Sequence, residues 1–141
     1  MTFDPEAYLG PFHRSVGLEI VDVSEGSASI EVPLVRKHSS MDDRMVAQGG
    51  VVFTLADFCG GLTLISTDDS VVASPTIDMR IDYLRPATSD LRANGNVVRV
   101  CEHTGVADVE VFDEASKRVA TGRGVYKIQR GETTSLWTPT E

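Results

Sequence analysis

The chain has 141 residues, 41% of them hydrophobic and 24% charged, which is ordinary for one water-soluble domain with a sizeable core. With 13 Lys and Arg against 21 Asp and Glu, the net charge of −8 argues against nucleic acid as the main partner, because phosphate backbones need concentrated cations. A phosphorylated small molecule needs only a few local cations and stays open. Residues 1–6 carry neither a basic start nor an apolar run, so no signal peptide is expected. Cys59 and Cys101 lie in apolar segments outside any CxxC or Cys/His metal pattern. They read as free thiols of a reducing cytoplasm.

Taken in chain order, residues 4–14 read as a short N-terminal helix, with Pro5 suited to a first turn and Gly17 just past the end, so that residues 1–16 form an N-terminal helical segment. Residues 18–23 read as a strand, Ser24-Glu25-Gly26-Ser27 as a turn, and residues 28–34 alternate as a second strand. A polar loop covers 36–44, and 47–67 is the most apolar stretch, expected to be a long helix. Four strand-like runs follow, 71–84, 91–101, 105–113 and 118–128, separated by turn residues such as Pro86-Ala87-Thr88-Ser89-Asp90. Successive strands with short connections imply an antiparallel sheet. Residues 129–141 form a polar tail, apart from Trp137. The whole chain reads as a single α+β domain: one central helix wrapped by a curved antiparallel sheet of about five to six strands. A helix that is apolar all round has to be covered all round.

Within 47–67 the sequence is AQGGVVFTLADFCGGLTLIST, and Asp57 is its only charge. Its length approaches a membrane span, but four glycines, Gln48, three threonines and a mid-span carboxylate speak against that reading. Desolvating an ionised carboxylate costs several kcal/mol, so Asp57 either reaches a local surface, pairs with an arginine, or serves a cleft. At helical spacing Gly50, Phe53, Thr54, Asp57, Gly60, Gly61 and Leu64 share one face. Four of these seven are Gly or Thr, which leaves room around the carboxylate for another helix or a ligand. Gly49-Gly50 at the helix start would free backbone N–H groups for an oxyanion or carbonyl oxygen. Gly49 and Asp57 are eight residues apart, roughly 12 Å along a helix axis. A base and an oxyanion donor must both come within about 3 Å of the reacting atoms. One helix therefore cannot supply both to one substrate, and a two-fold dimer with antiparallel helices is expected if both take part.

Gln48-Gly49-Gly50-Val51-Val52-Phe53-Thr54-Leu55-Ala56-Asp57 resembles the HGG…D segment of the phenylacetate-degradation (PaaI-like) hotdog thioesterases. Thr76-Ile77-Asp78-Met79-Arg80-Ile81-Asp82-Tyr83-Leu84-Arg85-Pro86-Ala87 is similar to that family's strand ending in a Y-L-R-P-A turn, and Val119-Ala120-Thr121-Gly122-Arg123-Gly124-Val125-Tyr126 to its last strand. The similarity runs from about residue 17 to 128 in the family's order and spacing. It implies a hotdog fold, homodimers and often homotetramers, and hydrolysis of acyl- or aryl-CoA thioesters. No metal or redox cofactor is implied, and coenzyme A enters as part of the substrate.

Carried over residue by residue, the resemblance makes Asp57 the general base or nucleophile and gives Gly49 the N–H that polarises the thioester carbonyl from the partner subunit. Thr76 orients the water or the carboxylate. The family's usual histidine is Gln48 here, which keeps hydrogen-bonding capacity but cannot titrate near neutrality. The Asn or Gln six residues earlier is Asp42, a second carboxylate. Gly50 and Phe53 are expected on the substrate side, and Arg85, Arg99, His103 and Arg123 are candidate cations for the CoA phosphates. Phe58 and Leu62 are candidates for an acyl pocket or for plain core, and His13 and His38, which have no motif around them, are expected on the surface. A non-catalytic acyl-CoA binder that has lost its chemistry at Gln48 and Asp42 is the alternative. A hotdog hydratase is disfavoured, because no histidine accompanies Asp57 in the motif.

Overall fold

Gly10 and Pro11 break the N-terminal segment in two. The structure, a computed structural model, describes residues 4–131, so Trp137 and the tail from residue 132 onward lie outside the described residues. Pro5–Tyr8 is a single 3-10 turn, and α1 (Pro11–Val16) starts afresh. The continuous helix expected over 4–14 fails here because proline lacks an N–H and disfavours helical backbone in the residue before it. Gly17, at φ 92°, closes α1 in the left-handed conformation that glycine adopts at no steric cost. Tyr8 reaches far along the chain: its hydroxyl donates to the Val72 carbonyl at 2.8 Å.

The strands are β1 (Glu19–Ser24), β2 (Ser27–Val32), β3 (Val71–Ala73), β4 (Thr76–Tyr83), β5 (Leu91–Val100), β6 (Thr104–Phe112), β7 (Arg118–Lys127) and β8 (Gln129–Arg130). Six of them form one antiparallel sheet in the order β1-β2-β5-β6-β7-β4, while β3 and β8 pair separately. The single run expected over 71–84 is therefore two strands. Ser74-Pro75 separates them, and a proline cannot donate to a ladder. The polar tail also begins later than expected, since Gln129 and Arg130 belong to β8.

The central helix, α2 (Gly49–Ile65), is four residues shorter than the apolar stretch that announces it and lies on the concave face of the sheet. Period-2 alternation aims the core side chains at it: Ile30 and Val32 of β2, Ala93 of β5, Val109 and Val111 of β6 are all at most 1% exposed. From the helix, Leu55, Ala56 and Cys59 are fully buried against them. Full burial of a leucine contributes about 1.5–3 kcal/mol. The approach of helix and sheet is close: a Cβ on Gly95 would sit 2.2 Å from Thr63 Oγ1. Burial pushes the Cys59 thiol up to about 12, against the opposing hydrogen bond from Thr63, so it stays a protonated core side chain.

The convex face is polar and carries exposed cross-strand pairs. Arg123 donates to both oxygens of Asp108 at 2.6 and 2.9 Å, and Arg118 to Glu110 at 2.8 Å. Such exposed pairs contribute at most about 1 kcal/mol each.

Candidate active site

The start of α2 is built by its own sequence. Gln48 is the N-cap, and its Oε1 accepts the Gly50 N–H at 2.6 Å. A first-turn N–H has no partner within the helix, and among the described residues nothing accepts from Gly49 N–H. Tyr83, from the end of β4, donates its hydroxyl to the Gly49 carbonyl at 2.9 Å and so fixes that peptide. A groove of about 420 Å³ opens here, lined by Gly49, Tyr83, Leu84 and Arg85 among others.

Two turns further on, Asp57 sits half-buried at a different opening. Thr76 Oγ1 donates to Asp57 Oδ1 at 2.8 Å. A β-bulge makes that contact possible. Thr76 pairs with Tyr126 and Asp78 with Val125, so two steps along β4 oppose one step along β7. The extra residue, Ile77, turns Thr76 towards the helix, while Asp78 and Arg80 keep the convex face. Replacing Thr76 by valine, which keeps the shape and removes the hydroxyl, is expected to lower kcat about tenfold and leave the melting temperature within a few degrees, whereas Thr76→Ser retains most of the activity. Steady-state kinetics with thermal melts on the two variants check this.

Tyr126 supports the same turn of helix from below. It is 1% exposed, and its hydroxyl donates to the Asp57 main-chain carbonyl at 3.0 Å. Burial, and then the Asp57 charge beside it, hold the phenol far above its usual value, so it acts as a permanent donor. Gly60 and Gly124 exist for this ring. A Cβ on Gly60 would lie 2.4 Å from the Tyr126 hydroxyl oxygen, and one on Gly124 would lie 2.4 Å from the ring. The small-residue face of the helix is therefore filled at Gly60 by a tyrosine of the same chain, not by a ligand or a second helix. Gly60→Ala is expected to destabilise the fold by about 1–3 kcal/mol through overpacking, read as a lower midpoint in denaturant titration.

The cleft at Asp57 has a volume of about 370 Å³. Its apolar wall includes Tyr8, Phe58, Leu62 and Ile65, and its polar side includes Asp57, Ser74, Thr76 and His13. Phe58 and Leu62 thus line a cleft, whereas Phe53, half-buried, is not part of its wall. Neither histidine expected on the surface is simply there. His38 is 4% exposed; its Nδ1 accepts the Val35 N–H at 2.9 Å, which leaves Nε2–H to donate to the Val16 carbonyl at 2.6 Å. It is a satisfied core group. His13 is half-buried against Phe58 and lines the same cleft as Asp57. No local motif marks either residue: each accepts from a backbone N–H three residues earlier, and its place inside the fold comes from a distant contact, His38 with the Val16 carbonyl and His13 with the Phe58 ring.

The remaining candidates fall in separate places. Asp42 is exposed in the loop before α2 and lines a shallow surface depression with Val35 and Met41, away from Asp57 of its own chain. Arg85 lies in the Gly49 groove and forms no ion pair among the described residues. Arg123 is engaged with Asp108 on the convex face. Arg99 donates to Cys101 Sγ at 3.1 Å, and His103 lies 3.9 Å from the Glu102 carboxylate. Both sit about the β5–β6 hairpin, and Arg99 is three strands from β4. The structure brings Asp57 and Thr76 together, and Gln48, Gly49 and Gly50 together. It does not bring these two groups to one point in a single chain.

The chain matches the model of the thioesterase superfamily over residues 46–120. It is 34% identical over 128 residues to a Halobacterium salinarum protein ascribed an esterase activity, covering 83% of each chain. The acyl-coenzyme A thioesterase PaaI of Escherichia coli is 30% identical over 113 residues, covering 79% of this chain and 77% of that protein. Among solved structures, E. coli PaaI, from the phenylacetic acid degradation operon, superposes with a TM-score of 0.78 at 25% identity, covering 89% of both chains. A Streptococcus mutans protein bound to acetyl CoA superposes with a TM-score of 0.73 at 25% identity, covering 82% of this chain and 91% of that one. With one long helix against a six-stranded antiparallel sheet, and with these relatives, the chain belongs to the thioesterase superfamily and has the hotdog fold of its PaaI-like members.

Proposed function

We propose that this enzyme hydrolyses acyl-CoA or aryl-CoA thioesters to the free acid and CoA, with Asp57 of one subunit and Gly49 of another completing each site. The observation that carries the reading is the half-buried Asp57 carboxylate, held by Thr76 at the end of an apolar cleft wide enough for an acyl chain or an aromatic ring. Asp57 takes a proton from a water molecule as that water attacks the carbonyl carbon, or attacks the carbon itself to give a mixed anhydride that water then hydrolyses to the free acid and the restored carboxylate. The carbonyl oxygen becomes an oxyanion at Gly49 N–H, where the helix dipole adds to the donor. The C–S bond then breaks, and the CoA thiolate leaves and collects a proton. Relatives named as acyl-CoA thioesterases, and a neighbour bound to acetyl CoA, support the substrate class.

A second subunit is needed because Gly49 and Asp57 open into different clefts of one chain. The sheet supports a place for it. β4 is an outermost strand, and Ile77, Tyr83 and Leu84 on or just after it are 59%, 53% and 50% exposed. An apolar open edge invites a second strand. Two-fold pairing of β4 with its copy sets two α2 helices antiparallel, so that each Asp57 meets the other chain's Gly49. The groove at that Gly49 carries Arg85, which makes it the first candidate for a CoA phosphate; Arg99, His103 and Arg123 come from elsewhere on the sheet. Further association of dimers into a tetramer is compatible with the same sites. Free thiols at Cys59 and Cys101 fit a cytoplasmic setting.

The test is thiol release from a panel of short-chain, medium-chain and aryl-CoA thioesters. Turnover of at least one class supports the reading. Tight binding of acyl-CoA with no thiol released from any of them would instead establish the non-catalytic binder.

A further inference from the structure

We propose that His13 is a substrate-contacting residue of the Asp57 cleft, walling the acyl pocket when neutral and shutting the site down when protonated. This role rests on the thioester-hydrolase reading and adds to it a residue that no motif marks. α1 carries the imidazole to the cleft, where its ring lies 4.7 Å from the Phe58 ring at 47°. Gly10 N–H donates to His13 Nδ1 at 3.0 Å, so the neutral ring carries its proton on Nε2. No hydrogen bond joins His13 to Asp57 among the described residues, yet both line one cleft, so open space separates them. An acyl chain reaching Asp57 from that space lies against the His13–Phe58 wall.

Among the described residues the groups facing His13 are few. Asp57 comes from α2, Arg14 from α1 itself, Tyr8 from the preceding turn and Tyr126 from β7. Burial raises both phenols, so neither ionises in the range where histidine titrates. Burial likewise holds His13 below its ordinary value of 6.5; Asp57 opposes this and Arg14 adds to it. Protonation has two consequences at once. Nδ1 gains a hydrogen and can no longer accept from Gly10, which loosens the start of α1. The new cation faces the Asp57 carboxylate and competes with water and substrate for it. Because the folded-state value lies below 6.5, the stability contributed by neutral His13 is full above 6.5 and is lost as pH falls through the lower folded value.

Three measurements test the role. In kcat/KM against pH with octanoyl-CoA, wild type is expected to fall about tenfold per pH unit below the His13 titration point. In His13→Gln, which can still accept from Gly10 N–H, the fall is expected to move to lower pH. By proton NMR, the His13 titration point is expected to drop in Asp57→Asn, which removes the opposing charge. In the same Asp57→Asn protein, octanoyl-CoA at saturation is expected to shift the His13 ring resonances. An acid limb in His13→Gln that superimposes on wild type overturns the proposal, as do His13 resonances unmoved by octanoyl-CoA. Absence of turnover in wild type would instead sink the hydrolase reading, while the two NMR measurements still decide whether His13 faces Asp57 and touches the acyl group.

Discussion

Asp57→Asn is expected to lower kcat for every acyl-CoA substrate by at least ~10²-fold, with KM and melting temperature little changed. The amide is nearly isosteric, and its oxygen can still accept from Thr76, so the hydrogen bond at 2.8 Å survives. What disappears is the capacity to take a proton from water or to attack carbon. Among the described residues no other carboxylate lines the cleft to replace it. Tyr126 still holds the main chain, because its bond goes to the Asp57 carbonyl and not to the side chain. The effect should therefore fall on kcat. Turnover left unchanged in Asp57→Asn, measured by thiol release, removes Asp57 from the chemistry.

Gly49→Pro should be almost as damaging, by about 10²–10³-fold in kcat, the usual cost of deleting an oxyanion donor. Proline here removes an N–H and little else. Gly49 is the first helical residue, where proline is well tolerated, and Gln48 before it already has the extended φ of −61° and ψ of 138° that precedes proline comfortably. A Cβ at Gly49 would lie 3.4 Å from the Tyr83 hydroxyl, an ordinary contact. Gly49→Ala, which restores the N–H with a similar Cβ, serves as the steric control and should retain most of the activity. If Gly49→Pro folds and turns over like Gly49→Ala, the helix N-terminus is not the oxyanion site.

The fold was legible because its strongest signals are local and periodic. An apolar helix flanked by glycine, and strands separated by short turns, leave few arrangements other than a sheet around a helix. Asp57 stood out as the single charge of its segment, and its distance from Gly49 was a matter of helix rise alone. Sequence reading failed where long-range packing decides. Thr76 was linked to Asp57 only through the family resemblance, because the bulge at Ile77 that turns it inward is announced by no residue type. Gly60 looked like room for a ligand, and the space belongs to Tyr126, 66 residues further along. His13 reaches the cleft because α1 folds across α2, which spacing within the first 16 residues cannot show. The strand-end cations were equally opaque: which of them has an acidic neighbour depends on cross-strand register, as for Arg123 opposite Asp108.

The trans arrangement of the site is tested most directly by a mixed dimer. Gly49→Pro and Asp57→Asn chains carrying different tags are co-expressed, and the heterodimer is purified through both tags. If each site takes Asp57 from one chain and Gly49 from the other, one of the two sites is wholly intact, and the heterodimer should show about half the wild-type turnover although either homodimer is nearly dead. If both groups act within one chain, each site has lost one of them, and the heterodimer should stay at its parents' level of about 1% or less.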